Sequence, residues 1–329
     1  MHGLKVLMYK KSKKQLIGHS GCKVELIDKG NYFAVRKTSC SIDYNKRLKK
    51  QLDKQKEFRH PSIKVPAIFK EGYDRDLLYF EMEYIKGVTL SKKIEDLTTS
   101  QIIDKMSVFI PNILNCSAAY DPEAKKYFLK KINELNEKIL KKNKTILKAF
   151  EYLENYRWDK IEKSQCHGDL TFENIIVSAD GTFWFIDFLD SFYSSWMIDA
   201  AKLFQDFELQ WSYRYLQSSK NREIRLFIAK ETIIKYLLEI KKGEGTLLSI
   251  YYILLLNILR IIPYSSDNLL DYLCISLDKV LNIIDDISNK KIHIPEKVDT
   301  VPGYSSVLKV INKSLGDILN ENTDNSMCR

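Results

Sequence analysis

Residues 165–190 read QCHGDLTFENIIVSADGTFWFIDFLD and place a histidine, four aspartates, a glutamate and an asparagine among apolar residues. The second half of this stretch predicts two short strands, NIIV and FWFI, joined by ADG, a favourable hairpin turn. Asp169 lies in the loop before the first strand, Asn174 begins that strand, and Asp187 follows the second. Because a hairpin places its strands side by side, we expect Asn174 and Asp187 to converge on one point.

Three of these polar side chains suit a metal-assisted transfer reaction. An amide oxygen from Asn174 and a carboxylate from Asp187 suit Mg²⁺, a hard cation that prefers oxygen ligands. Asp169, one loop away, would be placed to accept a proton from an attacking hydroxyl group. Asp180 lies within the hairpin turn, where aspartate is a favoured residue, and we assign it no catalytic role.

The composition is that of a folded protein with reduced thiols. The chain has 329 residues, 45% of them apolar, which is enough for one large domain or for two lobes with separate cores. Its charged fraction of 29% is ordinary and does not indicate disorder. The six cysteines show no C-x-x-C spacing, so we predict free thiols in a cytoplasmic protein rather than a disulfide or zinc framework.

The net charge of +9 is concentrated in the N-terminal third, since residues 1–90 hold 20 basic and 10 acidic residues. Such a surface attracts phosphates, nucleic acid or an anionic membrane, or it is simply a solvated lysine-rich surface. No RNA-binding or DNA-binding motif accompanies the charge, so no nucleic-acid partner is predicted. Peripheral contact with a membrane stays open.

Two regions of different character follow one another along the chain. Residues 1–87 predict a lobe with a five-stranded antiparallel sheet, whose first strand covers residues 4–9, and one helix with apolar residues on one face. Residues 88–329 predict a mostly helical lobe that contains the catalytic loop and the acceptor site. The apolar run from Leu247 to Ile262 predicts a buried helix, because it is short for a membrane span and contains polar residues. The predicted fold class is therefore α+β with two lobes.

The sequences HGDLTFEN and FIDF, with their spacing from His167 to Asp187, resemble the catalytic and metal loops of a known family. That family is the aminoglycoside phosphotransferase and choline kinase-like small-molecule kinases, which share the protein-kinase-like fold. The resemblance implies ATP and Mg²⁺ as cofactors, with Asp169 as the catalytic base. It implies a structural role for His167, whose ring would bond the backbone of the loop.

The resemblance also implies a nucleotide site in the N-terminal lobe. The segment GHSGCKVEL resembles the phosphate loop of the family, with Gly18, Ser20 and Gly21 near the phosphates. The segment MEYI resembles the kinase hinge, which would place the Glu83 carbonyl and the Ile85 N–H group against the adenine edge.

The segment FAVRK resembles the Val-Ala-Ile-Lys motif, which supplies a cation to the α- and β-phosphates. Alignment on Ala34 favours Arg36 over Lys37, because side chains two apart on a strand share a face. The partner of this cation in the helix is best matched by Gln55, which lies on the apolar face. The alternatives in the same helix are Gln51, Asp53 and Glu57.

The segment after Asp187 lacks the long activation segment and the Ala-Pro-Glu motif of protein kinases, which argues against a protein substrate. Asp199 resembles the aspartate that braces the catalytic loop in the family, and Asp190 would be a supporting acid or part of the acceptor pocket. In this family the C-terminal helices hold the acceptor. In this sequence the corresponding helices contain aromatic and arginine side chains that suit a sugar. They are Trp196, Trp211, Tyr213, Arg214, Tyr251, Tyr252, Arg260 and Tyr264.

The expected function is transfer of the ATP γ-phosphoryl group to a hydroxyl group of a small molecule, such as a sugar or cell-surface glycan precursor. A neutral or anionic acceptor is favoured, because a cationic aminoglycoside would need an acidic pocket and the C-terminal lobe is about neutral. Arg260 stands out in an apolar helix, since a buried arginine needs an anion or an acid. The rival functions are a non-catalytic nucleotide-binding scaffold, a protein Ser/Thr kinase and a nucleic-acid-binding protein. The sequence indicates neither the oligomeric state nor a preference between ATP and GTP.

Overall fold

The N-terminal part is built on an antiparallel sheet of five strands in the order β1-β2-β3-β6-β5. These strands are β1 (Lys13–Leu16), β2 (Lys23–Asp28), β3 (Phe33–Thr38), β5 (Ile68–Asp74) and β6 (Leu77–Glu83). The computed structural model describes residues 13–16, 21–60, 62–114, 119–140, 142–240 and 244–289. The predicted strand at residues 4–9 and the predicted helical segment beyond residue 289 lie outside these ranges.

One helix, α1 (Asn45–Glu57), covers this sheet. Its sequence contains no glycine, proline or β-branched residue, and Leu48, Gln51, Leu52 and Gln55 recur at helical spacing. These four side chains are buried, and the two leucines pack with residues of β3 and β6 in a small core. The sheet-plus-helix lobe expected from the sequence is therefore present.

A second sheet of four strands joins the two parts of the chain, in the order β4-β11-β10-β7. The predicted hairpin forms its centre, flanked by the two segments that leave the first sheet and its helix. Gly87 allows the close pairing of β7 with β10, because a Cβ atom at this position would lie 2.5 Å from the Val177 carbonyl oxygen. The strands are β4 (Ile63–Lys64), β7 (Gly87–Thr89), β10 (Ile175–Ser178) and β11 (Phe183–Phe185).

The rest of the described chain is mostly helical, and its helices enclose the larger hydrophobic core. A short strand pair, β8 (Ala119–Tyr120) and β9 (Glu162–Lys163), lies among them. The fold class is confirmed as a bilobal kinase-like fold, a sheet followed by a helical region. The helices are α2 (Leu90–Lys93), α3 (Thr99–Leu114), α4 (Ala124–Lys138), α5 (Lys144–Asn155), α6 (Trp196–Leu209), α7 (Lys220–Ile240), α8 (Glu244–Leu259) and α9 (Asp267–Ser288).

The apolar run that predicted a buried helix forms α8, which packs between α6 and α9. By length and composition, Gly245–Tyr264 could cross a membrane, with a mean hydropathy of 1.8, but 67% of this window is buried inside the protein. The helix therefore behaves as a core helix. The lobe boundary at residue 87 stays a prediction, and Phe58 and Ile63, which precede it, already pack in the larger core.

Candidate active site

The catalytic loop is held by α6, a helix in which every residue is buried. Three of its charged residues, Asp199, Lys202 and Asp206, follow one another at intervals of three and four positions, so they share one face. The Asp199 carboxylate accepts the N–H groups of His167 at 2.6 Å and Gly168 at 2.7 Å. Burial raises the pKa of Asp199 to about 6, although these two bonds favour the charged form. The bracing role expected for Asp199 agrees with this geometry.

Asp206 braces the other end of the same loop. Its carboxylate accepts the N–H group of Phe172 at 2.6 Å and that of Ser212 at 2.7 Å. Burial raises the pKa of Asp206 to about 6, against the effect of these hydrogen bonds. The two aspartates of α6 thus fix the backbone on both sides of Asp169.

His167 lies at the centre of the loop with a fully buried ring. Its Nδ1 accepts the Asp169 N–H group at 3.2 Å, so Nε2 carries the proton and donates to the Ile186 carbonyl oxygen at 2.7 Å. Burial lowers the pKa of His167 to about 4, which keeps the ring neutral. These contacts agree with the structural role expected for this histidine.

The backbone at Gly168 has a φ of +92°, and a Cβ atom there would lie 2.8 Å from the Leu189 carbonyl oxygen. Only glycine fits this left-handed and crowded position. The loop can therefore approach the segment after Asp187, and the Leu189 N–H group donates to the His167 carbonyl oxygen at 3.1 Å.

The Asp169 carboxylate is one third exposed and forms an ion pair with Lys202, with Nζ 3.1 Å from Oδ1. The Asn174 side-chain amide donates to the Asp169 carbonyl oxygen at 2.8 Å and to Oδ2 at 3.3 Å. Burial alone would raise the pKa of Asp169, but Lys202 and more distant charges, among them Arg260, together outweigh burial and the pKa is lowered. Asp169 is therefore an ionised acceptor at neutral pH.

Asp187 follows the hairpin with a φ of +62°, a left-handed conformation that is uncommon for residues other than glycine. Its carboxylate forms an ion pair with Lys37 of β3, and Lys37 also donates to the Gln51 side-chain oxygen at 3.1 Å. The Ile186 N–H group donates to the Asn174 carbonyl oxygen at 3.0 Å, so the hairpin holds Asn174 opposite the residue that precedes Asp187. The convergence of the Asn174 and Asp187 side chains on one ion stays a prediction.

The residues present fit a magnesium ion bound together with a nucleotide. The Asn174 amide donates through its nitrogen, which leaves Oδ1 available as a metal ligand, and Asp187 would supply a carboxylate oxygen. Within the described residues, no group of three or more His, Cys, Asp or Glu side chains could hold a metal ion. Mg²⁺ typically uses one or two protein oxygens together with substrate phosphates and water, so this donor set suits it.

The profile of the phosphotransferase enzyme family matches residues 18–223, which is more than half of the chain. The chain belongs to the phosphotransferase enzyme family. It is an ATP-dependent small-molecule phosphotransferase, as its catalytic and metal loops indicated. Comparison with curated proteins gives no significant match.

Solved structures share the fold of this phosphotransferase at low sequence identity. One is a thermostable mutant of the aminoglycoside phosphotransferase APH(4)-Ia, in ternary complex with AMP-PNP and hygromycin B. It has a TM-score of 0.56 and 13% identity over 83% of this chain and 93% of that chain. Another is the ADP-bound aminoglycoside phosphotransferase APH(2'')-Ib, with a TM-score of 0.51 and 16% identity over 82% of this chain and 93% of that chain. At these identities the likeness shows the fold.

The expectation that Arg36 faces the nucleotide cleft is corrected by the structure. Arg36 lies opposite Glu81 in the sheet, and its Nε donates to the Glu81 carboxylate at 3.0 Å on the face away from α1. Val35 and Lys37 lie on the face that α1 covers, and Lys37 reaches Asp187. Alignment of the motif on Ala34 was thus one residue out of phase.

The expectation that Gln55 is the helix partner of the cation is also corrected. Gln55 is buried, but its side-chain nitrogen donates to the Pro66 carbonyl oxygen at 2.9 Å. Gln51, one turn earlier on the same face, contacts Lys37. The phosphotransferase therefore pairs its strand lysine with a neutral amide.

The other predicted nucleotide contacts of the phosphotransferase stay predictions. Gly18 and Ser20 lie outside the described residues, whereas Gly21 has a φ of +72° and open space around its Cβ position. Glu83 ends β6, with its N–H group bonded to the Ala67 carbonyl oxygen at 2.9 Å, and Ile85 lies buried in the connection to β7. This connection is where a kinase hinge would lie.

A cavity of about 630 Å³ is lined by Lys202, whose Nζ lies 3.1 Å from Asp169 Oδ1. Three of the residues singled out for the acceptor, Asp190, Arg260 and Tyr264, line it. Trp196 and Tyr251 do not line it, and their polar atoms bond to buried glutamates at 2.7 Å in the core. The cavity is also lined by residues that the sequence did not reveal: Arg47, Lys50, Lys131, Leu135, Lys138, Ser191, Phe192, Lys202, Asn257 and Ile261.

Of two lysines of the site, Lys202 could have been found from the sequence, whereas Lys54 follows only from the fold. Lys202 is the one basic residue of α6 and follows Asp199 by three residues, and a buried lysine requires an acidic partner. Lys54 carries no such signal, because α1 is rich in lysine. In the structure its Nζ donates to the Leu189 carbonyl oxygen at 3.0 Å and to the Ser191 hydroxyl at 2.9 Å, which ties α1 to the loop after Asp187.

Proposed function

We propose that this phosphotransferase transfers the γ-phosphoryl group of ATP to a hydroxyl group of a sugar or glycan precursor. The observation that carries the proposal is the pair of contacts that the ionised Asp169 carboxylate makes. Its Oδ2 accepts from Asn174, which with Asp187 suits a metal-bound nucleotide, and its Oδ1 pairs with Lys202, which lines the cavity. A small acceptor in that cavity would present its hydroxyl group to Asp169.

The proposed reaction forms a bond between the acceptor oxygen and the γ-phosphorus and breaks the bond from that phosphorus to the bridging oxygen of ADP. Asp169 accepts the hydroxyl proton as the oxygen attacks, and the proton then passes to solvent. Lys202 keeps Asp169 ionised before the transfer. The buried backbone contacts of the loop hold the carboxylate in place, so that little reorganisation is needed.

Lys37 is the residue we propose for orienting the nucleotide phosphates, together with the predicted phosphate loop. Asn174 and Asp187 would hold Mg²⁺ when the nucleotide is bound. The ion would neutralise charge on the phosphates as the bridging bond breaks. The separation of these roles supports a kinase over a scaffold, because the proton acceptor, the metal ligands and the lysine are all present.

The test is ATP consumption with a panel of sugars, sugar derivatives, amino alcohols and aminoglycosides. At least one sugar derivative should stimulate ADP release, and the product should carry a new phosphate ester detectable by mass spectrometry. Asp169→Asn should lower kcat by about 10²–10⁴-fold with nucleotide affinity retained, which is the range for loss of a general base. Asp180→Asn, in the exposed hairpin turn, is the control and should retain wild-type kcat. Turnover by Asp169→Asn at the wild-type rate would refute the mechanism.

A further inference from the structure

The cavity beside Lys202 has an unusual charge. Six lysine or arginine side chains line it, against one carboxylate, that of Asp190. Lys50, Lys131 and Lys202 have carboxylate partners, at 3.5 Å, 3.0 Å and 3.1 Å respectively. The remaining cations have no carboxylate within 4.0 Å in the part of the chain that the structure describes. They are Arg47, Lys138 and Arg260.

Arg260 is the innermost of these cations. It directly follows α8, and its Nη1 donates to the Asn257 side-chain oxygen at 3.0 Å, while its guanidinium lies 5.3 Å from the centre of the Phe192 ring. Burial lowers the pKa of Arg260, and the nearby Arg47 lowers it further, whereas Asp169 raises it. Its charge is thus poorly compensated within the protein, and a negatively charged group would compensate it.

Asn257 gives an independent sign of a missing partner. The residue is 2% exposed and lines the cavity, and its side-chain oxygen is engaged by Arg260. Its side-chain nitrogen is buried and has no hydrogen-bond partner among the described residues. A buried amide donor without an acceptor is costly, so an acceptor atom supplied by a ligand would satisfy it.

From this geometry we propose that the acceptor carries a phosphate or carboxylate group, which binds Arg260 and the Asn257 amide in this cavity. The inference rests on the proposed function and narrows its acceptor to an anionic hydroxyl compound. Arg260 offers the paired donors that fit either oxyanion, and Arg47 and Lys138 lie at the exposed rim, where they attract it. The volume of about 630 Å³ suits a small molecule.

This anion site differs from the site for the phosphates of ATP. Lys37, Asn174 and Asp187, which suit the nucleotide, are absent from the cavity lining that the described residues form. A cationic aminoglycoside would meet six like charges and one carboxylate there. The charge of the cavity therefore selects against the acceptor type that the structural neighbours are named for.

The first experiment compares acceptors that share a hexose ring and differ in charge, at fixed ATP and salt. Glucose, glucose 6-phosphate, galacturonate and glucosamine serve as the neutral, phosphorylated, carboxylated and cationic probes. The anionic probes should show the highest kcat/KM. Arg260→Gln should raise KM for these probes by about 10- to 100-fold, the equivalent of one lost charged hydrogen bond. The same variant should raise KM for glucose much less than KM for the anionic probes.

A preference for glucose or glucosamine in the wild-type protein would overturn the inference and leave the proposed function standing. An equal rise in KM for neutral and anionic probes in Arg260→Gln would also overturn it, because the arginine would then act only through the structure of the cavity. Asn257→Leu should likewise raise KM for the anionic probes more than KM for glucose.

The second experiment measures binding without turnover, by calorimetry on protein saturated with Mg²⁺ and ADP. Glucose 6-phosphate and galacturonate should bind more tightly than glucose, and the difference should shrink as salt is raised. The exposed double variant Arg47→Gln/Lys138→Gln should weaken anionic binding by about 3- to 10-fold, as expected for surface charges. Arg75→Gln/Lys125→Gln is the matched control on the same two parts of the chain, and it should bind like the wild type.

The two experiments separate the inference from the proposed function. Binding of anionic probes, with no turnover of any compound in the acceptor panel, supports the anion site and refutes the proposed transfer. Failure of both anionic probes to bind at millimolar concentrations overturns the inference, whatever acceptor is phosphorylated. Because the rim variants replace exposed residues, they remain informative if Arg260→Gln does not fold.

Discussion

Asp169 and Asp187 lie on loops that the protein holds in different ways. Buried carboxylates of α6 fasten the loop around Asp169, and all of these contacts belong to the larger core. Asp187 has a left-handed backbone and a carboxylate that is 37% exposed, and its loop is bonded to Lys37 and Lys54 from the smaller part. The carboxylates that hold the loop of the proton acceptor therefore come from the large part, and Lys54 of α1 adds a contact to Cys166 Sγ beside that loop at 3.2 Å. The metal ligand depends on contact between the two parts, so damage to one loop should differ from damage to the other.

The largest effect is expected at Asp199. Asp199→Ala leaves the His167 and Gly168 N–H groups buried without their acceptor, which should lower the free energy of unfolding by about 2–5 kcal/mol. We expect kcat to fall as well, because the loop that carries Asp169 loses its brace. Urea unfolding measures the first effect and steady-state kinetics the second. Asp271→Ala, an exposed aspartate of α9, should change the free energy of unfolding by less than about 0.5 kcal/mol. Equal stability of the two variants would show that α6 does not fix the loop.

The next largest effect is expected at Lys37, the partner of Asp187, and a comparison with Arg36 tests which of the two acts on the nucleotide. Lys37→Gln removes the ammonium group that contacts Asp187, and kcat/KM for ATP should fall by about 10- to 100-fold. Arg36→Gln breaks the bond to Glu81 on the opposite face of the sheet, so it should lower stability and leave kcat/KM for ATP nearly unchanged. Kinetics and urea unfolding on both variants give the comparison. The reverse pattern would restore Arg36 as the cation of the nucleotide site.

The pH dependence of kcat should follow the protonation of Asp199, which holds the catalytic loop, rather than the protonation of Asp169. As pH falls through about 6, Asp199 gains a proton and can no longer accept both N–H groups, while Asp169 keeps a lowered pKa. Below pH 6 we therefore expect kcat to fall by about tenfold for each pH unit. A kcat that is constant down to about pH 4.5 would contradict this coupling, since only the titration of Asp169 would then remain.

Stability should change with pH in the opposite direction. The folded chain holds protons on Asp199 and Asp206 up to a pKa of about 6, above the unfolded value of 3.8, so their contribution to the free energy of unfolding falls as pH rises between these values. His167 acts against them, because burial lowers its pKa to about 4 and protonation below its unfolded value of 6.5 favours the unfolded chain. Urea unfolding across this interval should show a steeper decline with rising pH in His167→Asn.

The smallest effect is expected at Lys54, which ties α1 to the loop after Asp187. Lys54→Met removes hydrogen bonds to Leu189 and Ser191, so kcat/KM for ATP should fall by about 2- to 10-fold while the stability of the larger core is retained. Lys46→Met, at an exposed position of the same helix, should match the wild type. If Lys54→Met equals Lys46→Met in both measurements, contact between the two parts does not position Asp187.

The relative positions of residues within the two loops were easier to predict from the sequence than the contacts that β3 and α1 make with them. Asp169, Asn174 and Asp187 are close in sequence and joined by a tight hairpin, so their mutual positions follow from local geometry. The choice between Arg36 and Lys37 depends on the phase of a strand, and an error of one residue exchanges its faces. Gln51 and Gln55 share one buried helix face, and only the packing of α1 on the sheet decides which of them reaches the strand lysine.

The cavity was the part of the site that the sequence predicted least well. Its cations come from α1, α4, α6 and the end of α8, segments that are far apart in sequence and individually look like solvated surface. Arg260 was the exception, because an arginine in an apolar helix already called for an anion. Lys202 had a comparable signal in α6 that its acidic neighbours obscured.

The four-stranded sheet has a mechanical consequence for the two parts. The hairpin of β10 and β11 lies at its centre, and the segments that run to and from the small sheet pair with its two edges as β4 and β7. The segment between α1 and β5 and the connection from β6 into the helical region are thus attached to the same ribbon. If the small part tilted to admit or release a nucleotide, these attachments would make the ribbon the axis of the rotation. Asn174 and Asp187 flank the ribbon, so they would be displaced least and the tip of the small sheet would be displaced most.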